Sequence, residues 1–133
     1  MEVHLVDVEW LKPHEETRRD RVEELRQKIA GNGFVHKPLL VDQVTGTILD
    51  GHHRYTAGLA LGLTRLPALL FDYLNDHRIA VDTWPESGRD HITKEEILAL
   101  AMNGESTPPK TSRHTMELPI PKIRVPLNDL RSP

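Results

Sequence analysis

The chain has 133 residues, 38% hydrophobic and 28% charged, with a net charge of −3 when its eight histidines are neutral. That size favours one domain, 1–133, around a single modest core, and the lack of cysteine excludes disulfides, thiolate metal ligands and a cysteine nucleophile. The acidic balance gives no support to nucleic-acid binding, which rests on a basic face, and no apolar run approaches the roughly 20 residues of a membrane span.

The opening "MEVHLVDVEW" has neither the basic start nor the long apolar stretch of a secretion signal, so the cytoplasm is the expected compartment, with no membrane partner. "VHLVDVEWL" alternates imperfectly and predicts a first strand, broken by Pro13. A helix is expected next, with Asp20 and Glu23 as a capping box and Val22, Leu25 and Ile29 on one face. Glu24 and Lys28 stand at favourable four-residue spacing, and "GNG" at 31–33 closes the helix. "KPLLVD" and "GTILD" predict a hairpin around "QVTG". His52 to Leu61 reads as a helix stopped by Gly62, and "LPALLFDYL" as a buried strand. "RIAVDTW" is a further strand ended by Pro85, and Thr93 with Glu96 caps the helix "EEILALAMNG". The proline-rich tail from Ser106 reads as irregular chain with room for one short strand. This mixed order predicts a compact α+β domain, a small mixed sheet flanked by helices.

The stretch "ILDGHHR" places Asp50, Gly51, His52, His53 and Arg54 where a strand passes into a helix. A helix start exposes about four unpaired N–H groups, and Gly51 lets a ligand approach the backbone. Arg54 and the histidines can donate to an anion, so these are the parts of a phosphate cradle. Asp50 would repel a bare phosphate and makes sense with Mg²⁺ between them. The alternative is that Asp50 caps the helix while His52, His53 and Arg54 are solvated. Adjacent helical histidines point in different directions, which argues against a zinc pair.

Two further stretches carry chemistry. "KPHEE" offers Glu15 or Glu16 as a base, or as acids that merely favour a helix start. "PPKTSRH" sets Lys110, Thr111, Ser112, Arg113 and His114 behind two stiffening prolines, suited to a carboxylate or phosphate, or else an exposed basic loop. Trp84 from its residue type alone is core or partly buried surface.

"ILDGHHR" resembles the signature box of the ParB/sulfiredoxin-like superfamily, whose members bind nucleotide phosphates at this turn. Sulfiredoxin's cysteine is missing, and the DNA-binding helical domain of ParB, whose box binds CTP, is not expected after Gly104. Similarity is greater to the branch of free serine kinases, which phosphorylate L-serine with ADP or ATP. "LKPHE" at 11–15, "VDTW" at 81–84 and "PPKTSRH" at 108–114 carry it together with the box, in the family's order. The resemblance implies O-phospho-L-serine as product and Glu15 as the catalytic base. It implies Asp50, Gly51, His52, His53, Arg54 and Lys110 at the nucleotide phosphates, with Mg²⁺ at Asp50. Trp84, Thr83, Thr111, Ser112, Arg113 and His114 would hold the amino acid, so that the segment 105–133 completes the site. The family usually has threonine where this chain has Ser112, which bears on acceptor preference. A non-catalytic, ParB-like regulatory or DNA-partitioning module is the alternative, as is a kinase for another small hydroxylated metabolite.

Overall fold

The computed structural model describes residues 2–131; Met1, Ser132 and Pro133, the ends of the expected 1–133 domain, lie outside the described residues. A four-stranded sheet runs in the order β1 (His4–Asp7), β5 (Arg65–Phe71), β3 (Leu39–Asp42), β4 (Ile48–Asp50). β3 and β5 pair parallel, Leu39 opposite Ala68, whereas β1 and β4 pair antiparallel with their neighbours. A parallel pair needs a crossover, and here it passes through β4 and helix α2 (His52–Ala60).

Both faces of the sheet are covered, which explains why β3 and β5 read as continuous apolar runs rather than alternating ones. Leu39, Val41, Ile48, Leu66 and Ala68 face one core with Ile29 of α1 (Arg19–Asn32) and Ala57 of α2. Leu40, Leu49, Leu69 and Phe71 face a second core with Tyr73, Ile79 of β6 (Ile79–Thr83) and Ile97 of α3 (Lys94–Met102). Two small ribbons complete the fold. β6 pairs antiparallel with β7 (Ser112–Met116), and β2 (Phe34–Val35) pairs with β8 (Val125–Pro126), ahead of the short helix α4 (Asn128–Arg131). The expected α+β class, a mixed sheet flanked by helices, is what the chain forms. No helix of the described residues is long and apolar enough to cross a membrane.

Local chemistry sets several boundaries. Thr93 and Glu96 form both halves of the expected capping box on α3. The one expected at Asp20 is absent: α1 starts two residues earlier in chain, its N-cap is Arg18, and no side chain of that residue caps it. Glu23 turns instead to Arg26 and Gln27. Of "GNG", only Gly33 stands outside the helix, left-handed at φ 78° with its N–H on the Ile29 carbonyl. The first strand stops at Asp7, and 8–10 form a turn rather than continuing to Leu11. The tail, expected to be irregular with one short strand, contributes two strands, β7 and β8, and the helix α4, because its strand partners lie far back in the chain at 79–83 and 34–35.

Candidate active site

A cleft of about 400 Å³ opens where the C-terminal ends of β4 and β6, the head of α2 and the 110–114 segment meet. Gly51 makes the turn from β4 into α2 at φ 110°, a conformation that L side chains rarely adopt. A Cβ there would also run into Leu39 Cδ2 and stand 3.0 Å from Arg54 Nη2, so only glycine leaves this turn open.

Arg54 reaches back over the turn. Its Nη2 donates to the Pro38 carbonyl at 3.1 Å and lies 3.6 Å from Asp50 Oδ2. Arg54 Nε is buried without a hydrogen-bond partner, and burial pulls the guanidinium below its usual range despite Asp50. A desolvated cation with an unspent donor beside open helix N–H groups is poised for an anion. Asp50 itself is exposed at the cleft edge.

Glu15 enters from the opposite wall. Its Oε1 accepts the N–H of Thr111 at 3.2 Å, the N–H of Ser112 at 3.0 Å and the Ser112 hydroxyl at 3.2 Å. Burial pushes its carboxyl above the usual range, and these bonds pull back against that. Glu16, the other acid of the pair, is exposed and does not line the cleft.

Trp84 is pinned to the same segment. Its N–H donates to Thr111 O at 3.2 Å and its indole Nε1 to Ser112 O at 3.1 Å. Arg113 Cζ stands 5.0 Å and Lys110 Nζ 5.7 Å from the indole ring, within cation–π range. Lys110 holds φ 58°, a left-handed backbone unusual for a side chain other than glycine.

Of the residues singled out from sequence, the fold brings Glu15, Asp50, Gly51, His52, His53, Arg54, Trp84, Lys110, Ser112, Arg113 and His114 to this one cleft. Thr83 and Thr111 stand apart from its lining. The Thr83 hydroxyl donates to Arg89 O at 3.0 Å, and the buried Thr111 hydroxyl donates to Pro108 O at 2.7 Å. His52 and His53 both direct Nε2 at backbone N–H groups of 14–18 rather than at the cleft. His114 shares a 2.8 Å hydrogen bond with the Tyr73 hydroxyl.

The sequence reading missed a rim of cations. Arg18, Arg21 and Lys28 project into the cleft with Leu25 from the first three turns of α1, joined by His36 and Lys37. Their signal was present as spacing: 18, 21, 25 and 28 fall on one helix face. With Arg54, Lys110 and Arg113 these cations far outweigh the lining carboxylates Glu15 and Asp50, although the chain as a whole is acidic. Field lines focus in such a cleft, which suits a multiply charged anion.

Among the described residues no three or more His, Asp or Glu side chains gather to hold a metal. Asp50 alone could ligate one, a donor set that fits Mg²⁺ taking its other ligands from phosphate oxygens and water.

The architecture is the free serine kinase fold. A variant of free serine kinase in complex with ADP superposes with a TM-score of 0.88 at 21% identity, covering 98% of this chain and 94% of that one. In sequence the chain is similar to the ATP-dependent L-serine kinase of Staphylothermus marinus, 38% identical over 84 residues that make up 60% of this chain and 33% of the relative. It is also similar to the ADP-dependent L-serine kinase of Thermococcus kodakarensis, 34% identical over 83 residues, 59% of this chain and 34% of the relative. The matched segment thus spans about a third of the length of these curated relatives. No protein-family profile matches the chain.

Proposed function

We propose that this protein transfers the terminal phosphoryl group of ADP or ATP to the hydroxyl of free L-serine, giving O-phospho-L-serine. The observation that carries this reading is the placement of a half-buried, hydrogen-bonded carboxylate, Glu15, across one cleft from the glycine turn and Arg54. Similarity to L-serine kinases supports the acceptor, and the cation-rich lining supports a nucleotide donor.

In this mechanism the phosphates lie on the Gly51 turn against the first N–H groups of α2, with Arg54 and Lys110 neutralising charge. The amino acid lies between Trp84 and the 112–114 strand, where Arg113 faces its carboxylate. Oε1 of Glu15 is occupied by Ser112 and Thr111, so Oε2 is the oxygen left to meet the acceptor hydroxyl. The serine oxygen forms a bond to the terminal phosphorus, the bridging P–O bond breaks toward the nucleotide, and Glu15 takes the hydroxyl proton. Burial raises the basicity of Glu15 toward the working pH, which is what a general base requires. Mg²⁺, held at Asp50 with the nucleotide, would neutralise phosphate charge. Alignment and neutralisation supply most of the rate enhancement in phosphoryl transfer generally.

The test is O-phosphoserine formation from L-serine with Mg²⁺ and either ADP or ATP, beside Glu15→Gln and a panel of other hydroxylated amino acids. Product from one donor is expected, lost in Glu15→Gln while nucleotide still binds nearly as tightly. Nucleotide binding with no product from any acceptor would overturn the reading in favour of a regulatory module, whose DNA retention would depend on salt.

A further inference from the structure

On sequence, His52 and His53 resemble two hydrogen-bond donors at the head of a phosphate-binding helix. The fold uses them the other way round. His52 Nε2 accepts the backbone N–H of His14 at 3.1 Å, and His53 Nε2 accepts that of Arg18 at 3.1 Å. A backbone N–H can only donate, so each imidazole acts as an acceptor at Nε2 and carries its ring proton on Nδ1. The two amides bracket Glu15.

We propose that His52 and His53 are positioning residues, a pair of clips that fix the Glu15 segment against the Gly51 turn, with His52 the principal one. This rests on the kinase reading above.

The segment 12–16 has no regular element of its own to hold it. Lys12 bonds through its N–H to Gly46 O at 2.9 Å and through its carbonyl to Ile48 N at 3.0 Å. His14 O accepts Thr107 N–H at 3.0 Å, and Glu16 N–H reaches Thr107 O at 2.7 Å. Those bonds fix the segment to the β3–β4 turn and to the chain at 107, and none of them reaches α2. The His52 clip does reach it, one residue before Glu15. Its ring is buried and meets the His14 ring edge-on at 4.5 Å, so it has little freedom to swing. The second clip works the same way from the other side, since Arg18 is the N-cap of α1, the helix that supplies Arg21 and Lys28 to the cleft. Two neighbouring histidines thereby join three parts of the site: the base, the anion turn and the cationic rim. A displacement of about 1 Å in a reacting group can cost on the order of a hundredfold in rate, so such a tie acts on turnover more than on affinity.

The whole chain provides the test. Long-range proton–nitrogen correlation spectra at neutral pH should show the Nδ1–H tautomer for both rings. A proton on Nε2 of His52 would overturn the proposal whatever the activity. In serine phosphorylation, His52→Ala is expected to lower kcat by about a hundredfold while the nucleotide Kd stays within about threefold. His52→Gln, whose amide oxygen can accept the same N–H, should recover much of the loss. Parallel losses in nucleotide Kd and kcat/KM would instead make His52 a phosphate ligand and sink the positioning role. Should His52→Ala fail to fold, the spectra and the glutamine variant decide. Lack of turnover in the unaltered protein is a failure of the kinase reading, seen before any variant is made, and the ring spectra then still decide whether the clip exists.

Discussion

Ser112 gives Glu15 two hydrogen bonds to one oxygen, from its N–H at 3.0 Å and its hydroxyl at 3.2 Å. In the proposed mechanism the strand that would contact the acceptor is thereby also the strand that would tune the base. Its partner Thr83, directly across the β6–β7 ribbon, brings Trp84 to the same end of the cleft.

Removing the Ser112 hydroxyl should therefore act through protonation. That bond lowers the Glu15 pKa, so Ser112→Ala raises it, and more of the base is protonated at a given pH. The acid limb of the kcat profile is expected to move to higher pH by up to about one unit, the effect of one charge-assisted bond at its low end. Ser112→Thr keeps the hydroxyl and should keep the limb in place. A pH–rate series on the three proteins checks this, and an unmoved limb in the alanine variant would detach Ser112 from the base.

Stability should fall as the solution is acidified, for reasons outside the carboxylates. His14 is buried and His114 half-buried, and desolvation lowers their pKa values to about 4 and about 3 from 6.5. Below 6.5 the unfolded chain takes up protons that the folded chain refuses, so their contribution is full above that pH and is lost between 6.5 and those folded values. Each such group withdraws up to about 1.4 kcal/mol per pH unit in that window. Denaturant midpoints from pH 7.5 to 5 should drop steeply, and His114→Phe should flatten the slope. A slope unchanged in that variant would contradict the assignment.

Lys110 poses stability against function. Its left-handed backbone costs a non-glycine residue about 1 kcal/mol or more, and Lys110→Gly should recover about that amount in unfolding free energy. The same change removes a cation from the cleft and from the face of Trp84. Nucleotide affinity is expected to fall by about tenfold as stability rises, consistent with the removal of one charge-assisted contact. Unfolding curves and nucleotide titration on the same preparation separate the two effects, and unchanged affinity would place Lys110 outside the nucleotide site.

Where the sequence was legible, the signal was local. Thr93 and Glu96 sit three residues apart and cap α3 with each other, so nothing distant was needed to find that helix start. The start of α1 was misread because its tie is tertiary: the Arg18 N–H goes to His53, thirty-five residues on, while Asp20 merely looks like a cap. The tail was read as irregular with room for only one short strand for the same reason, since β7 and β8 exist only through pairing with β6 and β2.

By itself the sequence determined the class of fold, the glycine turn into α2 and the residue types gathered there, because periodicity, caps and left-handed glycines are written within a few neighbouring residues. Only the tertiary structure decided that Glu15 rather than Glu16 lines the cleft, that Thr83 turns away from it, and that the two histidines accept rather than donate. Those choices depend on which groups from distant segments arrive within hydrogen-bonding distance, and that distance is set by how the two cores pack around the sheet.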